Sequence, residues 1–478
     1  MTKQAVNPYL PSWEYIPDAE PRVFGDRVYA FGSHDRFGGD VYCLNDYVAW
    51  SAPVSDLADW RYEGVIYRKI QDPLNPAGEQ RMNAPDVVQG ADGRYYLFYA
   101  LHKESVISVA VCDTPAGEYQ FYGHVRTPSG QLYGRQRGQV YNFDPGVLVD
   151  EGHVFLYSGF APEGRMLELL SSTGKRVDAA YCIKLESDML TVSGEPVAVL
   201  PGPTAAKGTG FEEHPFFEAS SPRRIGDRYY LVYSSSMSHE LCYAVSDRPD
   251  GGFTFGGTIV SIGDIGFEGN QEARNTLGNT HGGLAEIAGR WYVFYHRHTN
   301  RTPYSRQAAA ERIEVREDGT IPQVEVTSCG LNGGPLAGTG RYEARIASNL
   351  SNSGKELSHS KQAEEDEQHY PYFTQSGDDR EGDGDQYIAN LRDGAWVGFK
   401  HFDFQGESHI AVTVRGTGEG TLEVSADQDA PAIASIQVKP SEDWYEASAG
   451  FAAPSGVSAL FFTYRGSGAI DFRALEMS

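Results

Sequence analysis

The sequence is poor in basic residues and has no long apolar run. Its 40 lysines and arginines stand against 65 aspartates and glutamates, which gives a formal net charge of −25 at pH 7. Because phosphate backbones and anionic lipid surfaces are bound by basic patches, this balance argues against nucleic acid and membranes as partners. No stretch is apolar enough to cross a bilayer. The composition therefore suits a protein that binds something neutral.

Cysteine is also scarce. The five cysteines are odd in number, lie far apart and form no CxxC pair, which excludes a disulfide framework and a zinc site of the usual spacing. The N-terminal residues show no basic segment followed by an apolar one, so no secretory signal is indicated and we expect a cytoplasmic protein.

What the sequence does have is an aromatic repeat. Each copy is a glycine-containing polar turn followed by a strand of aromatic and aliphatic residues. The five copies lie at residues 25–33, 92–100, 151–159, 226–234 and 289–297. They follow one another at intervals of about 60 to 75 residues, which suits repeats of several strands each. The pattern predicts five structural units of one kind.

A second unit follows each of the first four copies, and it consists of a strand, a short polar turn and another strand. After the fifth copy, RQAAAERIEVREDGTIPQ is expected to pair two strands around its EDG turn. Alternating strands, frequent turns and few helical periods indicate an all-β repeat. We therefore predict a five-bladed β-propeller over residues 1–327.

The texture of the sequence changes after residue 327. Alternating strands without the blade repeat fill the rest of the chain, which predicts a β-sandwich over residues 328–478. Within it, residues 363–386 are rich in acidic residues and glycine. We interpret this segment as a solvated loop and not as a cation site.

Four carboxylates stand before aromatic strands of the predicted blades, namely Asp18, Asp86, Asp144 and Glu218. The ends of inner strands in a propeller face one mouth of the central channel, so these side chains are expected to converge there. Glu218 follows Pro-Phe-Phe and is flanked by small residues. An apolar setting of this kind favours a carboxyl group that keeps its proton near neutral pH.

These residues carry a resemblance to a known family. The text NPYLPSWEYIPDAEP with YAFGSHD, the set Asp18, Asp144 and Glu218, and the five repeats resemble glycoside hydrolase family 43 over residues 7–325. The resemblance implies an inverting glycosidase with Asp18 as the general base and Glu218 as the general acid. Asp144 would then orient the acid and tune its pKa. An inverting pair requires carboxyl groups about 6.5–9.5 Å apart.

The resemblance implies further roles. His281, in NTHGGL, would help to hold a metal ion or water cluster in the channel, with calcium expected and no organic cofactor. Arg306 would reach the sugar. Asp86 is interpreted as pocket lining, and His34 and Phe217 are candidate sugar-binding residues, together with Trp13, Tyr15 and Asp35.

The substrate implied is an arabinose- or xylose-containing oligosaccharide or polysaccharide. Long insertions before three of the acids favour a closed pocket, and we expect release of terminal or side-chain α-L-arabinofuranose. The alternatives are a β-xylosidase, an endo-arabinanase, a galactofuranosidase or a propeller that binds glycan without cleaving it. The C-terminal region resembles a carbohydrate-binding module of family 6, and its role is either glycan binding or shaping of the pocket.

Overall fold

The computed structural model describes residues 3–352, 370–380 and 385–478. Across these ranges the chain is almost entirely β-structure, with a single α-helix, α1 (Gly164–Ser172). Part of the acidic segment predicted to be a solvated loop, residues 363–369 and 381–384, lies outside the described residues. No helix in the described ranges has the length and apolar character that a membrane span requires.

Four antiparallel sheets of four strands each follow one another along the chain. The first contains β1 (Glu20–Phe24), β2 (Arg27–Phe31), β3 (Tyr47–Pro53) and β4 (Arg61–Tyr67). The second contains β5 (Met82–Gln89), β6 (Tyr95–Leu101), β7 (Ile107–Cys112) and β8 (Gln120–His124). The third contains β9 (Gly146–Asp150), β10 (His153–Ser158), β11 (Ala179–Leu185) and β12 (Val197–Pro201). The fourth contains β13 (Phe216–Ile225), β14 (Arg228–Ser235), β15 (Glu240–Ser246) and β16 (Thr254–Ser261).

The fifth sheet has three strands, β17 (Leu284–Ile287), β18 (Arg290–His298) and β19 (Arg306–Ile313). The predicted second strand after the EDG turn does not form in this sheet. Instead, Val324 bridges Val260 of the fourth sheet, and its backbone N–H donates to the backbone oxygen of Ile259 at 2.8 Å. The chain therefore leaves the fifth sheet for the edge of its neighbour.

Five apolar clusters separate the five sheets, one at each junction between neighbours. They join the first and second, second and third, third and fourth, fourth and fifth, and fifth and first sheets. The last junction closes the ring, because residues such as Trp50 of β3 and Phe294 of β18 belong to one cluster. The aromatic repeat strands supply both faces of these clusters, which explains why they read as continuous apolar runs. The architecture is the predicted five-bladed propeller, and the sheets are its blades.

The C-terminal region folds as a β-sandwich of two six-stranded sheets. One sheet contains β20 (Leu336–Ala337), β22 (Asn349–Asn352), β25 (Ala395–Phe404), β27 (Glu419–Ser425), β28 (Ala434–Val438) and β30 (Gly456–Ser467). The other contains β21 (Gly340–Glu343), β23 (Tyr372–Thr374), β24 (Tyr387–Leu391), β26 (His409–Gly416), β29 (Ser441–Gly450) and β31 (Ile470–Met477). One continuous apolar core lies between the sheets.

The sandwich packs against the propeller through buried polar contacts. The Lys400 ammonium lies 2.6 Å from Oε1 of Glu325 and 3.5 Å from Oδ2 of Asp264, and Arg297 donates to the backbone oxygen of Ala347 at 3.1 Å. Polar groups removed from water need such partners, so these contacts fix the two domains against each other.

Candidate active site

Equivalent positions at the start of the inner strands can be assigned from the strand register. Glu20, Asp86, Gly146 and Ser221 each pair with the same position of the following aromatic strand, namely Phe31, Phe98, Tyr157 and Val232. Two residues earlier stand Asp18, Ala84, Asp144 and Ala219, all with left-handed backbone at φ 58°, 33°, 45° and 71°. In the fifth blade, the N–H of Phe294 donates to Gly283, which places His281 at this position. We call these five positions the upper ring.

Asp86 does not belong to the upper ring, although the sequence suggested the same place for it as for Asp18. It is equivalent to Glu20, two residues further along the strand. Its carboxylate accepts from Nε of Arg22 at 2.9 Å and from the N–H of Val147 at 2.7 Å, and it is fully buried. Both oxygens are therefore used within the protein, so the interpretation as pocket lining is wrong. The blade-two member of the upper ring is Ala84.

Asp86 instead belongs to a second cluster on the axis, the lower ring, formed by Glu20, Arg22, Asp86 and Arg223. Arg223 donates to Oε2 of Glu20 at 2.7 Å and to the backbone oxygen of Leu284 at 2.6 Å. Arg22 reaches the oxygen of Val147 at 3.0 Å as well as Asp86. The two guanidinium groups thus neutralise the two acids and link all five blades.

The upper ring brings Asp18, Asp144 and His281 together. Nδ1 of His281 lies 3.9 Å from Oδ1 of Asp18 and 3.5 Å from Oδ2 of Asp144. All three side chains are buried. Burial lowers the pKa of His281, so the imidazole is neutral near pH 7.

Asp18 is held in its charged form. Burial opposes ionisation, but the guanidinium of Arg306 and the imidazole of His296 outweigh it and keep the pKa of Asp18 well below its usual range. Arg306 lies 3.2 Å from Oδ1 of Asp18, and Nδ1 of His296 also lies 3.2 Å from that oxygen. A carboxylate that stays ionised is the state that a general base needs.

Glu218 has the opposite setting. It lies in β13 one residue before the left-handed Ala219, so it is not strictly equivalent to Asp18 and Asp144, and it is partly exposed. Burial of the carboxyl group and the charge of Asp18 raise the pKa of Glu218 to about 8, against a smaller opposing effect of Arg306. Glu218 therefore keeps its proton at neutral pH.

Asp144 is also pushed toward its protonated form. Burial and the charges of Glu218 and Asp18 raise its pKa well above the usual range. The three carboxyl groups therefore cannot all be charged at once without repelling one another. The tuning role predicted for Asp144 stays a prediction.

Arg306 is buried and makes more contacts with protein side chains than the sequence indicated. Its Nε and Nη2 donate to the two oxygens of Asp35 at 2.8 and 3.0 Å, and its guanidinium lies over the ring of Tyr42 at 4.5 Å. Burial raises the pKa of Tyr42 to about 12, with Arg306 opposing this shift and the charge of Asp35 adding to it. Asp35 thus holds Arg306 and not a sugar hydroxyl.

The predicted sugar-binding residues differ in their placement. His34 is buried, and its two ring nitrogens already face Glu14 Oε1 at 3.0 Å and the oxygen of Asp46 at 2.7 Å. The structure does not bring His34 into the carboxylate cluster. Phe217 is next to Glu218, is partly exposed and packs on Phe160 at 5.1 Å between ring centroids.

Sequence reasoning missed two members of the site, His296 and Tyr42. His296 ends a repeat strand in YHRH, and Tyr42 lies in the loop between β2 and β3. Neither stands at a motif position, and only the closing of the ring brings the first and fifth blades together around Asp18.

A calcium ion beside His281 would need six to eight oxygen ligands. The carboxylates nearest to His281 are those of Asp144 and Asp18, at 3.5 and 3.9 Å from its Nδ1, whereas those of Glu20 and Asp86 are already paired with Arg223 and Arg22. These side chains alone supply fewer oxygen ligands than calcium needs, so a calcium ion beside His281 would be held largely through water. Within the described ranges, the side chains that could together ligate a metal are His214, Glu240 and Cys242 in the fourth blade.

Comparison with known proteins gives two family matches. Residues 17–321 match the glycosyl hydrolases family 43, and residues 362–477 match the carbohydrate binding module family 6. Both resemblances drawn from the sequence are confirmed.

Relatives and solved structures agree with these matches. A "xylosidase/arabinosidase" of Thermoclostridium stercorarium is 50% identical over 481 residues, covering 100% of this chain and 99% of that protein. A family 43 arabinoxylan arabinofuranohydrolase from Bacillus subtilis, solved with cellotetraose, superposes with a TM-score of 0.51 at 20% identity over 99% of this chain and 97% of its own. A β-xylosidase/α-arabinofuranosidase from a compost metagenome, described as a calcium-free form with xylotriose, gives 0.51 at 23% identity over 67% of this chain and 98% of its own.

Proposed function

The chain belongs to glycosyl hydrolase family 43, and from that premise we propose that it is an inverting exo-glycosidase with Asp18 as its base and Glu218 as its acid. The observation that carries this proposal is that Arg306 and His296 each lie 3.2 Å from one oxygen of Asp18, while Glu218 has no such partner among the described residues and lies near enough for the charge of Asp18 to raise its pKa. The pKa of Asp18 lies well below its usual range, and that of Glu218 is raised to about 8. Divided acid and base roles of this kind are what inverting hydrolysis requires.

In the reaction, the Asp18 carboxylate accepts a proton from a water molecule as the water oxygen bonds to the anomeric carbon. The bond between that carbon and the glycosidic oxygen breaks, and the electron pair stays on the leaving oxygen. Glu218 donates its proton to that oxygen. Attack from the face opposite the leaving group inverts the anomeric configuration.

The neighbours of Asp18 support its role. His296 and Arg306 contact the same carboxylate oxygen, which fixes the carboxylate and keeps it ionised while leaving the other oxygen for water. A base held in one orientation removes part of the entropic cost of assembling water, base and sugar.

The leaving-group side of the site is apolar and aromatic. The ring of Phe217, beside Glu218, packs on that of Phe160. The Phe160 ring packs in turn on that of Phe143, which precedes Asp144, with 5.2 Å between the two ring centroids. All three rings are partly exposed. Aromatic faces of this kind stack on sugar rings, so we assign this surface to the sugar or aglycone released with the proton of Glu218.

For the substrate, we propose terminal α-L-arabinofuranosyl units on xylan-derived or arabinan-derived chains. β-Xylosides are the second candidate, because the relative that shares half of its residues with this chain is named for both sugars. None of the steps of hydrolysis described above uses calcium, because the carboxylates of the lower ring are already paired with arginines. A cation beside His281 would be held largely through water.

A panel of nitrophenyl glycosides tests the proposal. Release of nitrophenol from the α-L-arabinofuranoside at the highest kcat/KM, with arabinose freed from arabinoxylan, is the expected result. Release from the β-xyloside alone would replace the first substrate by the second. Proton NMR at early times should show the inverted anomer, and a retained anomer would overturn the role given to Asp18.

A further inference from the structure

A loop of the propeller holds Arg306 in place. Residues 32–46 join β2 to β3 and carry Asp35 and Tyr42, which contact the guanidinium of Arg306, as Asp18 does from outside the loop. The N–H of Cys43 donates to Oδ1 of Asp35 at 2.8 Å, which fixes that carboxylate within the loop. The position of Arg306, and with it the charge of Asp18, therefore depends on the conformation of this loop.

The loop is in turn held by a residue of the other domain. Oδ1 of Asp379, in the sandwich, accepts from the backbone N–H of Phe37 at 2.7 Å, and its Oδ2 accepts from Nδ2 of Asn45 at 3.0 Å. Asn45 also donates to the backbone oxygen of Asp35 at 3.0 Å. One carboxylate thus connects both ends of the loop, and it reaches Asp35 through Asn45.

The neighbouring residue holds the base of the same loop. Arg380 donates to both carboxylate oxygens of Glu14 at 2.8 and 2.9 Å, and Glu14 faces Nε2 of His34 at 3.0 Å. Glu14 is fully buried and His34 precedes Asp35, so a second charged contact from the sandwich ends beside the Arg306 partner.

We propose that Asp379 is a positioning residue for catalysis, which acts through Asn45 and Asp35 on Arg306. The role rests on the proposed function, because it concerns the arginine beside the general base. Loss of the Asp379 carboxylate leaves the N–H of Phe37 without its acceptor and removes one of the two acceptors of Asn45 Nδ2, and the loop then no longer fixes the guanidinium. Under this proposal the sandwich domain contributes to catalysis by positioning Arg306, whether or not it also binds glycan.

The test compares Asp379→Ala with Asp378→Ala, an exposed neighbour of the same charge. With the nitrophenyl glycoside that the full-length protein cleaves fastest, Asp379→Ala should lower kcat/KM by about tenfold while Asp378→Ala changes it less than about twofold. Asp379→Asn, which keeps one acceptor oxygen, should fall between the two and serves if the alanine variant does not fold.

A double-mutant cycle separates positioning from stability. Arg306→Lys keeps the charge but loses the paired hydrogen bonds to Asp35. In that background the effect of Asp379→Ala should shrink below about twofold, because both changes break one chain of contacts. Equal losses in both backgrounds would overturn the proposal. A wild-type protein that cleaves no glycoside would instead overturn the proposed function.

Discussion

The upper and lower rings place similar acids on the same strands with opposite consequences. In the lower ring, Glu20 and Asp86 each have a guanidinium partner, Arg223 and Arg22. In the upper ring and beside it, Arg306 contacts Asp18, and its charge only partly offsets the raised pKa values of Asp144 and Glu218. The lower ring, in which each acid has an arginine partner, therefore lies only two residues along the strands from the upper ring, in which the carboxyl groups outnumber the arginines.

The difference shows how one architecture supports both stability and reactivity. Buried acids that are matched by arginines tie the blades together, although burial still raises the pKa of Asp86 while Arg223 and Arg22 lower that of Glu20. Acids in excess of their partners cannot all ionise in a buried place, so their pKa values move apart, as those of Asp18 and Glu218 do. Surplus negative charge, and not carboxylates as such, marks the active site.

The largest effect is expected for Asp18→Asn. Without the base, kcat should fall by about 10⁴-fold on substrates with good and poor leaving groups alike, because the water is no longer deprotonated. Steady-state kinetics on both substrate types measures this, with Asp26→Asn on the exposed surface as the control. A loss limited to poor leaving groups would show that Asp18 is not the base.

Glu218→Gln should follow, with a loss that depends on the leaving group. On natural oligosaccharides kcat should fall by about 10³-fold, and on nitrophenyl glycosides by less than about tenfold, because nitrophenolate leaves without protonation. The wild-type kcat/KM should decline as the pH rises through about 8, where Glu218 loses its proton. Equal losses on both substrates would contradict the acid role.

Asp86→Ala tests the lower ring. It leaves Arg22 buried without its carboxylate and should cost about 3 kcal/mol of unfolding free energy, while kcat of the folded protein stays near the wild-type value. Urea titration and kinetics on the same preparation measure the two quantities. A large fall in kcat with unchanged stability would return Asp86 to the substrate pocket.

Asp144→Asn should give the smallest change in pH dependence. Burial and the charges of Glu218 and Asp18 favour the protonated form of Asp144, and asparagine imitates that neutral form. We expect the alkaline limb of kcat/KM to move by less than about half a pH unit. A shift of more than about one unit toward lower pH would identify Asp144 as the charge that tunes Glu218.

The propeller was predictable because its repeat strands are buried on both faces and therefore stand out as aromatic runs. The inner strands were not recognised, since they carry polar and charged residues among the apolar ones, as in EPRVF of β1. Without these strands, the alignment of the second blade with the first was wrong by two residues. Asp86 was therefore predicted to be equivalent to Asp18, although it is equivalent to Glu20. The prediction of a fourth strand in the fifth blade was wrong, because the pairing of Val324 with Val260 of the fourth blade competes with the local hairpin.

Among the site residues, Asp18, Asp144 and Glu218 could be named from motifs, and the structure brings them together. The partners of Arg306 could not be foreseen, since Asp35 and Tyr42 come from a loop whose shape depends on the other domain. His34 was misplaced for the same reason: Glu14 and Arg380 meet it only in the folded chain.

The left-handed backbone recurs at Ala84 and Ala219 as well as at Asp18 and Asp144, so the conformation belongs to the blade and is independent of the side chain it presents. The blade therefore fixes the backbone conformation at these positions, and the side chain at each of them can differ without changing that conformation. Ala84 has a short apolar side chain at such a position. An acid, an amide or a histidine introduced there would change the functional groups around the axis without a new backbone turn, so new specificity in this fold can arise by single substitutions.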